Sequence, residues 1–317
     1  MANAHSNNHL LACRPAIVTG GAGGIGRGHV QHLAAAGAPV VINDLNRAAA
    51  EELAQSVIAK GGRAAVSTHD ISSREGCEAL VQSCIDAFGS VRILVNNAGN
   101  LRDRTLLKMT DDDLDAVLNV HVKGTFWCTQ AAARAMVAQG KGGAIVNTTS
   151  GAHFGSFGQT AYSAAKGAIA SMTYTWALEL ARFGIRVNAV APLGTTAMSK
   201  TYRDADGKPG QDFDPSLNGP AVVFLCSEEA ASVSGQIFGI GGERLSHMVQ
   251  PHYGKTLISP GGWKLNAICR HFPNAMQGAF GAFGILGKPY PFHGGVYPPR
   301  CVSTGVSTGV STGVRKP

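Results

Sequence analysis

Tyr162 and Lys166 stand four residues apart in AYSAAKGAIASMTYTWALEL, a stretch rich in helix formers. At that spacing two side chains leave one helix face about 5–6 Å apart. Such a pair is suited to proton transfer. A tyrosine phenol titrates at about pH 10 and is a poor base at neutral pH, but a neighbouring ammonium favours the phenolate and lowers that value. Oxidation of an alcohol needs a base of this kind. The same spacing also occurs as a surface aromatic beside a surface lysine, so the assignment depends on what the rest of the chain places around it.

The elements that must position the pair are legible upstream. Residues 16–18 (AIV) form a short apolar run leading into Thr19–Gly26, TGGAGGIG, and then a helical stretch through Ala36 closed by Gly37. This reads as strand, glycine turn, helix. Gly20, Gly24, Ile25 and Gly26 let the backbone approach a pyrophosphate, whose charge meets free amides and the positive end of the helix. A second apolar run, PVVIND, ends in Asp44, placed for a ribose diol. Its carboxylate accepts from a 2′-hydroxyl and repels a 2′-phosphate, which favours NAD over NADP; Arg47 nearby is the residue able to bind a phosphate instead. AAVSTHDI brings Asp70 and Ile71 to the same edge, and VRILVNNAG brings Asn96, Asn97, Ala98 and Gly99. Strands expected near 15–18, 38–43, 64–68, 92–96, 144–149, 186–191 and 237–240 alternate with helical segments. The fold class is α/β, a Rossmann-like doubly wound parallel sheet in a single domain with a C-terminal extension, and its ligand edge is the carboxyl side of the strands.

TGxxxGIG at Thr19–Gly26, NNAG at Asn96–Gly99 and YSAAK at Tyr162–Lys166 resemble the short-chain dehydrogenase/reductase family over about residues 14–242. GSFGQTAYSAAK, VHVKGTF and VVINDL look closer still to the dehydrogenase part of peroxisomal D-specific multifunctional enzymes and to bacterial hydroxysteroid and β-hydroxyacyl dehydrogenases. The resemblance implies that Tyr162 takes the hydroxyl proton, that Lys166 holds the nicotinamide ribose and lowers the tyrosine pKa, and that a hydroxyl at the end of the fifth strand orients the substrate oxygen. The family's usual serine, 13 residues before the tyrosine, is Thr149 here, and Ser150 follows. Neighbours on a strand point to opposite faces, so only one meets the substrate unless the chain turns at once; the reading leans to Ser150. Where many members carry a relay asparagine, LNVHVKG has His121, whose alternative is a hydrogen-bonded histidine in the helix interior. Pro192, Leu193, Gly194, Thr195 and Thr196 resemble the family's nicotinamide loop, with one threonine on the carboxamide. The polar segment 199–216 reads as a flap. His153, Phe154, Phe157 and Leu193 are candidate substrate lining, with Trp127 assigned to core packing.

Composition bounds the rest. The 317 residues are 44% apolar and 15% charged, with no apolar stretch long enough for a signal core or a membrane span, which leads to the expectation of a cytoplasmic protein without membrane or nucleic-acid partners. The seven scattered cysteines fit neither a disulfide framework nor a metal site. Three regions are expected: 1–13 a flexible N-terminus, 14–242 the NAD-binding catalytic domain, and 243–317 an extension that is at least partly disordered, with a short helix near 263–277 and VSTG repeats at its end, whose residues 251–299 could cover an active site. The substrate is expected to be a small molecule carrying a secondary alcohol or ketone on a bulky apolar body; a hydroxysteroid, 17β above all, ranks first and a (3R)-hydroxyacyl-CoA or other β-hydroxyacyl thioester second. A dinucleotide-binding module without chemistry is the alternative class, against which intact Tyr162 and Lys166 count. A homotetramer is expected through helices near 105–135 and 160–182 and the strand near 237–240, because Ala165, Ala168, Ile169, Met172, Thr173 and Trp176 offer more apolar surface than one sheet face needs. The Asp44 reading has a direct test. Asp44→Ala should narrow the ratio of NAD to NADP efficiency by about tenfold, the worth of one charge-assisted hydrogen bond; initial rates with both cofactors measure it, and an unchanged ratio moves the discrimination to Arg47.

Overall fold

The computed structural model describes residues 9–196, 212–276, 279–280 and 284–285. The VSTG repeats, and all of the expected flap except 212–216, lie outside the described residues. One sheet organises the chain: β1 (Ala16–Thr19), β2 (Val40–Asn43), β3 (Ala64–Ser67), β4 (Ile93–Asn96), β5 (Gly143–Thr148), β6 (Ile185–Pro192), β7 (Ile237–Gly241) and β8 (Arg244–Met248), in the spatial order β3-β2-β1-β4-β5-β6-β7-β8. The first seven pair in parallel and β8 runs antiparallel to β7. Between them lie α1 (Gly24–Ala35), α2 (Arg47–Ala59), α3 (Arg74–Phe88), α4 (Asp111–Leu118), α5 (Thr125–Gln139), α6 (Thr160–Leu180) and α7 (Gly219–Cys226), and α8 (Leu265–Ala275) follows the sheet.

The strands are apolar because both faces are covered. Successive residues of β1 point to opposite sides: Ala16 and Val18 join Val30, Leu33, Leu53 and Leu225 in one core, and Ile17 joins Leu80, Cys84, Met136 and Ile145 in the other. Each fully buried aliphatic side chain contributes about 1.5–3 kcal/mol, so both layers stabilise the order of strands that opens a crevice between β1 and β4. A chain of polar groups crosses the second layer. Asn96 Nδ2 donates to Thr129 Oγ1 and to Asn147 Oδ1, each at 2.9 Å, and Asn147 Nδ2 donates to Thr173 Oγ1 at 3.0 Å. These buried amides bind α5, β4, β5 and α6 together beneath the site.

The sheet continues past residue 242, where the sequence reading closes the domain. Gly242 (φ 55°) and Glu243 form a two-residue turn, and β8 returns along β7. The alternating exposure of β8 marks an edge strand, too short and polar a pattern to stand out in the sequence. Ala165, Ile169, Thr173 and Trp176 are buried against the chain's own core, so they are not spare surface. Apolar side chains left open nearby are Phe126, Val137 and Leu178, and Phe126 and Val137 line a groove of about 450 Å³ between α5 and α6.

His29 lies inside α1 with no exposed surface, and neither ring nitrogen has a hydrogen-bond partner among the described residues. Burial, then the charge of His32, lower its pKa to about 3. The unfolded chain therefore binds a proton at this residue that the folded chain refuses between pH 6.5 and 3, and stability falls as pH falls through that window. His29→Leu should remove about 2 kcal/mol of the stability lost between pH 7 and pH 5. Urea unfolding of both proteins at the two pH values checks this; parallel losses would refute it.

Candidate active site

The glycine turn is shaped by what it must approach. Gly20 (φ 59°) leaves β1, and a Cβ there would stand 2.8 Å from Ala98 Cα; a Cβ on Gly26 would stand 2.1 Å from the Gly20 carbonyl oxygen. Only glycine fits either contact. The seam is sewn by Thr19, whose Oγ1 accepts from the Asn97 and Ala98 amides at 3.0 Å, and by Asn97 Nδ2, which donates to the Thr19 and Gly20 carbonyls at 3.0 Å. Helix α1 starts at Gly24 behind an exposed Gly23, with no side chain capping its first amides. That leaves a backbone cradle for an anion. At the end of β2, Asp44 Oδ2 accepts from Ala22 N at 3.1 Å and Oδ1 from Asn46 N at 3.0 Å, so the carboxylate is held at the rim of the cradle. Arg47 is turned to Glu51 and Thr68. Asp70 is exposed, its Oδ1 accepting from Ser72 N, and Ile71 is buried. A pyrophosphate and a ribose diol fit this arrangement of free amides, absent side chains and fixed carboxylate.

The proton-transfer pair sits at the ends of β5 and α6. Lys166 is 2% exposed, and its Nζ donates to the Thr148 carbonyl at 2.6 Å and lies 5.5 Å from the centre of the Tyr162 ring. Burial lowers its pKa to about 7. Thr149 and Ser150 divide the two roles that the sequence left open. Thr149 Oγ1, fully buried, donates to the Lys166 carbonyl at 2.8 Å. The backbone turns at Ser150, whose side chain caps a short 3-10 turn (Gly151–Phe154) and favours the ionised form of the Tyr162 phenol. Burial raises the Tyr162 pKa, the Ser150 side chain opposes the rise, and Asp103 adds to it. Desolvation of the ring works against the lowered phenol that the resemblance implies, and burial likewise draws the lysine toward its neutral amine.

His121 lies in a π-helical turn (Asn119–Gly124) joining α4 to α5, a feature often found where a side chain is re-aimed. Its ring meets Tyr162 edge to face, with centroids 5.5 Å apart, and Nε2 lies 2.9 Å from the Asn100 carbonyl oxygen and 3.0 Å from the Asn100 amide nitrogen, donating to the one or accepting from the other according to its tautomer. Burial and Lys166 hold its pKa at about 3, so it is neutral. Gly99 makes room for it, since a Cβ there would be 2.3 Å from the imidazole. Pro192 ends β6, and Leu193, Gly194, Thr195 and Thr196 pass over the glycine turn: Ile25 Cγ1 approaches Gly194, and Thr196 Cγ2 approaches Gly24. Thr195 Oγ1 accepts from Phe213 N at 3.0 Å, so its hydroxyl holds the loop. His153 is half-buried and hydrogen-bonded to the Ser150 carbonyl, while Phe154, Phe157 and Leu193 expose 42%, 85% and 37% of their surface at the mouth. Trp127 instead packs against the core between α3 and α5, under the Arg74 guanidinium. Among the described residues no cluster of metal-ligating side chains occurs, and no helix is long and apolar enough to cross a membrane.

The sequence matches the short chain dehydrogenase family over residues 14–207. The chain belongs to the short-chain dehydrogenase/reductase family. As a member it is an oxidoreductase acting between secondary alcohol and ketone. It is 41% identical over 230 residues to the peroxisomal hydratase-dehydrogenase-epimerase of Neurospora crassa, covering 72% of this chain and 25% of that one. It is 36% identical over 273 residues to hydroxyacyl-CoA dehydrogenase ChsB1 of Mycobacterium tuberculosis, covering 81% and 86%. A short chain dehydrogenase structure from Mycobacterium avium superposes with a TM-score of 0.76 at 33% identity, covering 84% and 96%. The sequence reading did not single out Asn100 or Asn147, took Thr19 only as the start of the glycine motif and gave Thr173 to the assembly surface; a polar residue closing the apolar run GAIVN was the available signal for Asn147. In this dehydrogenase the hydroxyls at 149 and 150 are separable by experiment. Ser150→Ala should lower kcat about 10²–10³-fold with an unchanged melting temperature. Thr149→Ala should destabilise by about 1–3 kcal/mol, because the Lys166 carbonyl loses a buried donor. Kinetics and thermal melts of both variants decide, and a large kcat loss confined to Thr149→Ala would reverse the roles.

Proposed function

We propose that this short-chain dehydrogenase is NAD-dependent and interconverts the hydroxyl and ketone of a β-hydroxyacyl thioester, in the (3R) series. The observation that carries the reaction is the Tyr162 ring with the buried Lys166 Nζ 5.5 Å from its centre, on a phenol whose ionisation the Ser150 side chain favours. A nicotinamide dinucleotide, when bound, supplies the hydride acceptor. Ser150 and Tyr162 hold the substrate oxygen; Tyr162 Oη takes the hydroxyl proton as the carbonyl forms, and gives it back in the reverse direction. Lys166 fixes the geometry from below, and in its protonated form its ammonium favours the phenolate, while His121, neutral and tied to Asn100, holds the ring edge. Gly20, Gly24, Ile25, Gly26, Asn97, Ala98 and Gly99 would hold the dinucleotide with Asp44 on its ribose, which is what favours NAD.

The relatives move the substrate ranking from the hydroxysteroid placed first by the sequence to the thioester, since one is named a hydroxyacyl-CoA dehydrogenase and another a hydratase-dehydrogenase-epimerase. The exposed Phe154, Phe157 and Leu193 at the mouth keep the hydroxysteroid as the second reading, because a flat apolar body would cover them. For assembly, the groove holding Phe126 and Val137 supports a second copy of this chain as its occupant, continuous with the expected tetramer. Reduced nicotinamide absorbance with 3-hydroxybutyryl-CoA and a panel of hydroxysteroids tests the substrate. Tyr162→Phe should lower kcat at least about 10³-fold on the active substrate while NAD binding stays within about threefold. Wild-type-like turnover in that variant would end the proposal.

A further inference from the structure

The positive charge of the chain is segregated. Residues 244–317 contain eight Lys and Arg and no Asp or Glu; with 27 and 20 in the whole chain, the first 243 residues hold 19 and 20 and carry a net −1. The entire basic excess thus lies beyond the β7–β8 turn. Of its described members, Arg244 is half-buried in β8 and Lys255, Lys264 and Arg270 are exposed, and none forms an ion pair among the described residues. Surfaces that serve only solubility interleave both signs, so the absence of every acid asks for an anionic ligand.

The same segment builds a place for one. Helix α8 presents Leu265, Ile268 and Phe272 on one face and Asn266, Arg270 and Asn274 on the other. Leu257, Trp263, Ile268 and Phe272 wall a cavity of about 330 Å³ that Lys255 and His271 also line. Trp263 and His271 meet edge to face with centroids 6.3 Å apart. After α8 the chain returns to the catalytic mouth, where Ile285 N donates to the Gly155 carbonyl at 3.0 Å beside His153 and Phe154. Extension and active site therefore share a border.

We propose that residues 244–276 are a carrier-binding arm: the groove beside Trp263 takes the adenine nucleotide end of a coenzyme A thioester, and Lys255, Lys264 and Arg270 take its phosphates. This rests on the thioester reading of the active site. Aromatic and apolar walls suit a purine, and unpaired ammonium and guanidinium groups suit phosphate oxygens. An anionic lipid surface is a poorer occupant, because α8 has 11 residues, a proline inside and only Arg270 and His271 as basic groups.

The test is calorimetry of the full chain with saturating NAD, which keeps the titrant out of the dinucleotide cradle. Coenzyme A should bind at least about tenfold tighter than pantetheine, which lacks the nucleotide, and Lys255→Gln/Lys264→Gln/Arg270→Gln should abolish that difference. Equal binding of the two titrants, or coenzyme A binding unchanged in the triple variant, overturns the arm. So does binding of phosphatidylserine vesicles that the triple variant loses while keeping its affinity for coenzyme A. Turnover of 3-hydroxybutyryl thioesters separates the two readings. Coenzyme A binding with no turnover of either its thioester or the pantetheine thioester sinks the substrate reading and leaves the arm standing. Turnover of the pantetheine thioester without preference for coenzyme A does the reverse.

Discussion

Burying an ammonium group with no carboxylate beside it among the described residues is costly, and the site is organised around how Lys166 is accommodated. Its Nζ is satisfied by the Thr148 carbonyl, and its own carbonyl is satisfied by the Thr149 hydroxyl. These two bonds clasp α6 to the end of β5 from both directions. They fix where Tyr162 stands one turn earlier, and they oblige the chain to turn at the next residue, which is how Ser150 comes to face the phenol. The burial also drops the lysine pKa to about 7, so its charge responds to the conditions in which the enzyme works.

The second constraint is the close approach of backbones at the crevice between β1 and β4. The order of strands separates those two connections, and Thr19 and Asn97 then draw the glycine turn onto the NNAG segment through four hydrogen bonds. Side chains at Gly20 or Gly26 would occupy the space of another backbone. Gly99 solves a related problem for the imidazole of His121. The glycines of the two motifs therefore serve packing between elements as well as openness toward a ligand.

Beneath both runs the Thr129–Asn96–Asn147–Thr173 chain, whose buried amides find partners on four elements. An apolar core would tolerate small slips between α5, β4, β5 and α6; directional bonds in a low-dielectric interior do not. The candidate catalytic groups thus stand on a layer that is fixed in register as well as packed.

The sequence by itself determined the class of fold, seven parallel strands to within about two residues, the glycine turn, Asp44 and the Tyr162–Lys166 pair, because these depend on local periodicity and short fixed spacings. It missed β8, whose alternating polar pattern on a short edge strand has little hydrophobic signal, and it counted as free surface the Ala165, Ile169 and Trp176 side chains that the core already covers. It left Thr149 and Ser150 open for the same reason that it did not weigh the desolvation of Tyr162. Which hydroxyl faces the phenol depends on one turn of backbone after β5, and the phenol's ionisation depends on how completely neighbouring elements exclude water. Both are set by contacts between residues far apart in the chain, and only the tertiary structure decides them.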